Sequence, residues 1–197
     1  MAQPEKSHMP PRPAVNKIRI RRRDANRTKM RILEAAKDLF AAQGYAQAGL
    51  REIAAQAGVA VSLLPQHFGS KADLFEAALL DAMASSTILE VPKRKWGAAM
   101  IDYMSGAGEV RLPAMVILST GDAEAREITA RVIRERIIPQ LAERLGPPDA
   151  LSRAMRITML STGFLIYGRQ LPIGPVDKHT KDHFAQLIQA VVDGSEA

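Results

Sequence analysis

The sequence contains no cysteine and few aromatic residues. The absence of cysteine excludes a disulfide framework and thiol chemistry. Aromatic residues make up 5% of a chain that is 47% hydrophobic, and many of its apolar residues are Ala, Leu, Ile and Met, which suit helices better than a β-sandwich. We therefore expect an all-α protein, whose 197 residues form one domain of ordinary size or two small ones that share a helix.

The sequence also lacks the features of membrane proteins and of most enzymes. No apolar stretch reaches the ~18 uninterrupted residues of a membrane span, and no signal-peptide-like run is found, so we expect a cytoplasmic protein without membrane contact. No glycine-rich phosphate loop and no convincing pair of nucleophile and base is evident. His179 and His183 have the i,i+4 spacing of a metal pair, but Thr180 follows where a zinc protease has glutamate, which favours a solvated helix face. We expect no metal, no cofactor and no catalytic residue.

Positive charge is concentrated at one end of the chain. Residues 1–31 contain ten Lys and Arg side chains against two acidic ones, a balance of +8, whereas the remaining 166 residues contain 17 basic and 19 acidic side chains. This distribution favours an arm that contacts a polyanion over a generally basic surface. The Pro-rich start has no apolar period, and we assign 1–23 as a disordered basic N-terminal arm. Residues 19–31 are interpreted as nucleic-acid-binding because a DNA-reading motif follows them.

Apolar residues at helical spacing predict helices over most of the chain. A first helix is predicted over 26–43 with Gly44 as its stop, a second over 50–57 ended by Gly58, and a third between 60 and 68. Ser70 caps a fourth helix, and its buried stripe is predicted as Leu74, Phe75, Ala78, Leu79 and Ala82. Five further helices, separated by Gly and Pro, are predicted at 94–105, 110–119, 123–145, 149–170 and 178–192.

The second and third predicted helices fit a helix-turn-helix. Two helices that cross closely need a small residue at the contact, a glycine in the tight turn and apolar residues just after it. Ala54, Gly58, Val59 and Leu64 occupy those places. An ordinary αα-hairpin has similar requirements, and the pattern alone leaves the two interpretations near even.

A longer stretch resembles the N-terminal DNA-binding domain of TetR-family transcriptional regulators. TKMRILEAAKDLFAAQGY and LREIAAQAGVAVSLLPQHFGSKADLFEAALLDAM carry the G-Y, L-R-x-I-A, A-G-V and H-F-x-S-K-x-x-L-F elements at the family's spacing, over about residues 27–84. Residues 121–169 are similar, more weakly, to the family's C-terminal ligand and dimerisation domains. The chain departs from the family at Ala48, Gly49 and Ala60, where hydroxyl residues are common, and at Pro65, where a phosphate-contacting Tyr is usual.

The resemblance implies a DNA-binding domain at 24–70 and a helical ligand-binding and dimerisation domain at 71–197, joined through the fourth helix. Recognition helices present their N-terminal side chains to base edges in the major groove, so the candidate base contacts are Val61, Ser62 and Gln66. The candidate phosphate contacts are Arg27, Lys29, His67 and Lys71, together with Arg51, which is either a phosphate contact or an ion-pair partner of Glu52 or Glu34. The candidate arm for an adjacent minor groove is Arg19, Arg21, Arg22 and Arg23.

Pro65 lies where the recognition helix should be continuous. If that helix began at Val61 with Ala60 as its cap, the proline would remove a backbone bond to Val61 at ~3 kcal/mol or more. If Ser62 is the N-cap, Pro65 falls in the first turn, whose amides have no intrahelical acceptor. Serine caps well and alanine poorly. We therefore expect a late-starting helix capped by Ser62.

The second domain is expected to bind a small-molecule effector and a second copy of the chain. Helices 149–170 and 178–192 are expected to pack against their symmetry mates as a four-helix interface. Large apolar residues at helical spacing are more often plain core than pocket lining. The pocket candidates are Trp96, Met100, Tyr103, Met104, Met115, Phe164 and Tyr167.

The function expected from these patterns is transcriptional regulation. We expect a homodimeric repressor that a small molecule releases from a palindromic or pseudo-palindromic operator of double-stranded DNA. Two alternatives stay open: a DNA-binding architectural or constitutive regulator without a ligand, and a helical small-molecule enzyme.

Overall fold

The computed structural model describes residues 15–84, 90–106, 110–171 and 173–195, with the backbone alone for 15–22. Helices dominate this part of the chain, and no strand occurs in it, which confirms the all-α fold. The ten α-helices in these residues are α1 Val15–Gln47, α2 Leu50–Ala57, α3 Leu63–Phe68, α4 Lys71–Ala84, α5 Trp96–Ser105, α6 Arg111–Ser119, α7 Ala123–Val132, α8 Ile138–Leu145, α9 Ala150–Leu165 and α10 Lys178–Asp193.

The first helix is longer than predicted at its N-terminal side. It begins at Val15, so residues 15–23, which we expected to be disordered, continue α1. The assignment had extended the Pro-rich start, which has no apolar period, over residues 15–23, where Lys and Arg are themselves good helix formers. Residues 1–14 of the predicted arm lie outside the described residues. At the other end, Gly44 has φ 79° and ψ 171°, which breaks the helical path at the predicted stop.

The N-terminal helices pack around one hydrophobic core. All five residues of the predicted stripe on α4 are buried, and four of them, Leu74, Phe75, Ala78 and Leu79, share a core with Ile32, Phe40 and Ile53 from α1 and α2. Ser70 and Asp73 form a reciprocal cap at the start of α4: the Asp73 amide donates to Ser70 Oγ at 3.1 Å and the Ser70 amide donates to Asp73 Oδ2 at 2.9 Å. The Ser70 hydroxyl also donates to Asp73 Oδ2 at 2.6 Å, and this bond, together with the one from the Ser70 amide, lowers the pKa of Asp73. The predicted cap is therefore present, and it holds the helix that follows the DNA-binding elements.

Residues 123–145 form one continuous helical path, as predicted, but with a widened turn in the middle. The turn Ile133–Ile137 is π-helical and lies between α7 and α8. Pro139, near the start of α8, has no amide hydrogen to donate to the preceding turn, which gives a physical reason for the local widening. A second π turn, Ile166–Gln170, extends α9.

A second hydrophobic core joins α5, α8, α9 and α10. Helices α5 and α10 cross at Gly97, where a Cβ atom would lie only 2.0 Å from the carbonyl oxygen of Ala185. The Gln189 side chain bonds the Gly97 amide at 3.1 Å and the Lys93 carbonyl at 3.1 Å. This crossing therefore requires glycine, and it fixes α10 against the start of α5.

Candidate DNA interface and effector cavity

The turn between α2 and α3 has the geometry of a helix-turn-helix. Gly58 ends α2 in the left-handed region, with φ 61° and ψ 44°, a conformation that glycine adopts without strain. Arg31 of α1 donates to the Gly58 carbonyl at 3.1 Å. Sequence patterns did not single out Arg31, because its role depends on a contact across 27 positions of the chain. The turn is thus held from α1 as well as by its own backbone.

The recognition helix α3 starts late, as expected, but Ser62 does not cap it with its hydroxyl. Ser62 has helical dihedral angles, φ −64° and ψ −17°, and its side chain makes no cap bond. Residues 60–64 instead form a tighter turn, in which the Leu64 amide donates to the Val61 carbonyl at 3.2 Å. That carbonyl is the one an amide at position 65 would have used in an α-helix. Pro65 therefore leaves no acceptor without a donor, and only the capping part of the expectation is wrong.

The exposed surface of α3 and the turn before it carries the candidate base contacts. Ser62 and Gln66 are exposed, and Val61 is 43% exposed. Leu64 is 2% exposed and packs into the first core. The accessible surface is thus uncharged and consists of Val61, Ser62, Pro65 and Gln66. Leu64 lies beneath it and packs into the core.

Two of the candidate phosphate contacts are held by aromatic rings. Lys29 Nζ lies 5.4 Å from the ring centroid of Phe68 at the end of α3, and Lys71 Nζ lies 4.7 Å from that of Tyr45. His67 is half-buried beside Phe68, with its ring centroid 6.4 Å from that of Phe68. Lys29 and His67 therefore lie beside Phe68 at the end of α3, and Lys71 begins the next helix.

Arg27 and Arg51 are exposed on α1 and α2. Both acids considered as partners of Arg51 are engaged elsewhere: Glu52 accepts from Gln43 at 2.9 Å, and Glu34 accepts from Lys37 at 2.7 Å. The phosphate and ion-pair interpretations of Arg51 both stay predictions. In the arm, Arg23 is exposed, and Arg19, Arg21 and Arg22 are placed on α1 by their backbone only.

A cavity of about 160 Å³ lies between α5, α6, α8 and α9. Apolar side chains from all of these helices form most of its wall, and Met100, Tyr103 and Met104, three of the seven pocket candidates, line it. Tyr103 is 38% exposed overall, and partial burial raises the pKa of its hydroxyl group, so it stays protonated at neutral pH. The polar groups of the wall come from Tyr103, Gln140, Thr158, Ser161 and Thr162.

The other four pocket candidates are not part of this cavity wall. Trp96 is 2% exposed and donates from Nε1 to the Val91 carbonyl at 2.7 Å, which makes it a core residue of the second cluster. Met115 lies in the first core, and Phe164 packs on Phe184 with ring centroids 5.4 Å apart. Tyr167 is 61% exposed on the outside of the fold. The sequence shows that these four residues are large and apolar. It does not show which side of each helix faces the cavity.

Helix α6 connects the cavity to the DNA-binding elements. Leu112, on its first turn, lines the cavity. The neighbouring Arg111 reaches α1, where it pairs with Glu34 at 2.7 Å and Asp38 at 2.6 Å. Hydrogen bonds from Lys37 and Arg111 lower the pKa of Glu34 and keep it ionised. We name this group of Arg111, Glu34 and Asp38 the α1–α6 clasp.

Two further contacts tie the halves together through α7. Arg131 pairs with Glu76 of α4 through both carboxylate oxygens, at 2.8 and 2.9 Å. The Tyr45 hydroxyl, just after the break in α1, donates to Glu124 at 2.6 Å, and burial together with this bond raises the pKa of Tyr45. Charged and hydrogen-bonded groups therefore join α6 to α1, and α7 to α1 and α4.

An apolar stripe on α9 faces away from the rest of the chain. Leu151, Met155 and Met159 recur at i,i+4 spacing and are 62%, 42% and 64% exposed. Gly163, the next position of this series, has open space where a side chain would project. Leu187 of α10 is also 39% exposed.

His179 and His183 are both exposed on α10, in keeping with a solvated face. None of the helices in the described residues combines the length and apolar character that a bilayer crossing requires.

Comparisons with known proteins match both halves of the chain. The family profile described as "Bacterial regulatory proteins, tetR family" matches residues 32–78. The profile described as "Tetracyclin repressor-like, C-terminal domain" matches residues 95–194, which is more than half of the chain.

Individual relatives agree with these matches. The HTH-type transcriptional activator FasR of Mycolicibacterium smegmatis is 41% identical over 68 residues, which are 34% of this chain and 31% of FasR, so the chain matches about a third of that relative's length. A Rhodococcus structure assigned to TetR-family transcriptional regulators has a TM-score of 0.67 at 18% identity and covers 85% of this chain and 99% of its own. The multidrug binding protein EbrR, complexed with ethidium, has a TM-score of 0.58 at 19% identity over 83% and 98% of the two chains. At such identities the two structures show a shared fold.

Proposed function

The chain belongs to the TetR family of DNA-binding transcriptional regulators, and from this we propose that it acts as a homodimeric repressor that a small molecule releases from its operator. We also propose that it works in the cytoplasm, where its DNA target would be. The observation that carries the proposal is the position of α6. This helix lines the cavity on one side and is ion-paired with α1 through the α1–α6 clasp on the other.

The DNA-binding part of the proposal rests on the surface around α3. Val61, Ser62 and Gln66 are accessible for base edges, and an uncharged surface of this kind suits adenine and thymine: Gln pairs with the adenine edge and an apolar side chain contacts the thymine methyl group. Lys29, His67 and Lys71 flank it with positive or ionisable groups for phosphates. Arg19, Arg21, Arg22 and Arg23 precede them on α1 and are assigned to the neighbouring minor groove.

Dimerisation through α9 and α10 would cover the exposed apolar stripe. An isolated chain would leave Leu151, Met155 and Met159 in water, and a second copy that packs the same stripe in antiparallel fashion would bury all three on both sides. Gly163 allows the two α9 helices to approach closely at that point. Two copies then present two recognition helices, which matches an operator with two-fold symmetry.

Release would follow from a ligand that displaces α6. A molecule in the cavity contacts Leu112 and Val116, and a shift of α6 moves Arg111 relative to Glu34 and Asp38. Because α1 carries Arg31, which holds the turn before α3, the orientation of the recognition helix changes with it. The separation of the two recognition helices would then no longer fit successive major grooves.

The test is a selection of bound sites from random duplex DNA with the purified protein. We expect a two-fold or pseudo-two-fold site, and a dimer by light scattering. Gln66→Ala should change the selected bases, whereas Gln186→Ala, an exposed glutamine on α10, should leave them unchanged. A strictly monomeric protein, or a selected pool without any consensus, would contradict the proposal.

FasR is an activator, so the direction of regulation needs its own measurement. In transcription reactions with a promoter that carries the selected site, added protein should lower transcript yield. A higher yield would show an activator with the same DNA-binding site.

A further inference from the structure

The charge, size and polar groups of the cavity define a class of ligand. None of the described residues that line it is an Asp, Glu, Lys, Arg or His. A ligand charge buried among these lining side chains would lose its hydration without gaining a partner of opposite charge from them, which is strongly unfavourable. The wall therefore favours uncharged ligands.

The volume restricts the ligand to a small molecule. The cavity measures about 160 Å³, and an apolar cavity of about 150 Å³ in another protein accommodates one benzene molecule. Met83, Met100 and Met104 contribute three thioethers to the wall, and thioether sulfur makes favourable contacts with aromatic rings while the flexible side chain adapts to their shape. These properties together favour a single substituted ring.

One hydroxyl oxygen of the lining residues is both buried and without a hydrogen-bond partner among the described residues. Ser161 Oγ is buried and makes no hydrogen bond there, whereas the neighbouring Thr158 hydroxyl donates to the Ala154 carbonyl at 2.9 Å. A buried hydroxyl without a partner is costly. A ligand oxygen beside Ser161 would supply the missing bond, either as an acceptor or as a donor.

We propose that the effector is an uncharged one-ring molecule, aromatic and carrying one hydroxyl or carbonyl group, and that this group binds Ser161. The inference rests on the proposed effector role of the cavity. The ligand class can be tested independently of the release mechanism, because ligand binding to the free protein is measured without DNA.

A matched series of one-ring probes tests the charge and the polar group. Benzyl alcohol, toluene, benzylammonium and benzoate share a ring and differ in charge and hydrogen bonding. By calorimetry or ligand-observed NMR with the full chain at neutral pH, benzyl alcohol should bind more tightly than toluene, and both ions should bind at least about tenfold more weakly than benzyl alcohol. Tighter binding of either ion, or no binding of the uncharged probes at millimolar concentration, would overturn the proposal.

Ser161→Ala isolates the assigned atom. It should weaken the binding of benzyl alcohol by about tenfold, the usual size of one hydrogen bond to an uncharged partner, and leave toluene unaffected. The thermal unfolding midpoint of the free variant should be unchanged or raised, since the substitution removes an unpaired hydroxyl. Ser152→Ala, an exposed serine on the same helix, is the control and should change neither affinity. Equal affinity of the Ser161→Ala variant for benzyl alcohol would refute the assignment.

DNA binding in the presence of benzyl alcohol separates this proposal from the proposed function. Binding of benzyl alcohol that depends on Ser161 supports the ligand class even when operator affinity stays constant. In that case the release mechanism fails and the cavity assignment stands.

Discussion

Substitution of Pro65 in the recognition helix tests how α3 begins. In the structure the Val61 carbonyl is already bonded to the Leu64 amide, so the absence of an amide hydrogen at position 65 leaves no acceptor unpaired. At a position that fits proline, the ring stabilises a protein by ~0.4–1 kcal/mol because it restricts the unfolded chain. Pro65→Ala should therefore destabilise the protein by at most ~1 kcal/mol, and the better helix propensity of alanine offsets part of that.

Ser62→Ala and Ser70→Ala make a matched pair for the same question. The Ser62 hydroxyl makes no cap bond, so its removal should change the free energy of unfolding by no more than ~0.5 kcal/mol. The Ser70 hydroxyl accepts from the Asp73 amide at 3.1 Å, and its removal should cost ~1 kcal/mol.

Thermal and urea unfolding of the three variants decide the point. A proline that interrupted a helix begun at Val61 would cost ~3 kcal/mol, and its replacement would raise Tm by roughly 6–12 °C, at about 2–4 °C for each kcal/mol in a chain of this size. Such a rise would refute the late start of α3. Equal losses from Ser62→Ala and Ser70→Ala would instead show that the Ser62 hydroxyl caps the helix, and would refute the tight turn as its only start. DNA affinity should be measured in parallel, because Ser62 and Pro65 also lie on the proposed base-contacting surface.

Three further predictions concern stability, pH and the arm. Lys37→Met should cost about 1–3 kcal/mol in urea unfolding, because Lys37 is 2% exposed and its loss leaves two carboxylates without their shared partner. The lowered pKa of Glu34 stabilises the folded protein at pH values above the ordinary pKa of 4.5, and this stabilisation is lost as the pH falls through the folded pKa. The free energy of unfolding, measured from pH 6 to 3, should show this loss, and the loss should be smaller in the Lys37→Met variant. Deletion of residues 1–23 should weaken operator binding and reduce the slope of log K against log salt by about 0.9 for each phosphate that the arm neutralises, and an unchanged slope would contradict a DNA-binding arm.

The sequence predicted the helices well where apolar spacing and stop residues agree. The buried stripe of α4 and the ends of α2 at Gly58 and of α1 near Gly44 follow from local rules, since each depends on residues within a few positions. The resemblance to the TetR family is confirmed by profile matches over 32–78 and 95–194.

The features that sequence patterns missed depend on contacts between distant residues. Arg111 and Glu34 are 77 positions apart, and nothing in the local pattern of either indicates the partner. Met115 and Leu112 lie on the same helix, yet Met115 is buried in the first core, whereas Leu112 packs against that core and also lines the cavity. Ser62 has the residue type of a cap, but the tight turn before α3 gives it helical dihedral angles. The assignments of Gln66 and of the other DNA contacts stay predictions.

Under the proposed release mechanism, the position of α6 would make the operator and the small-molecule effector thermodynamic competitors without a shared site. One end of the helix pairs with α1 through Arg111, and the residues that follow form part of the cavity wall. Linkage is reciprocal: a molecule that lowers the affinity for operator by some factor has its own affinity lowered by that same factor when operator is bound. A cell that holds more copies of the operator would thus need more of the small molecule for the same response, and the sensitivity of the switch would depend on the DNA as well as on the cavity.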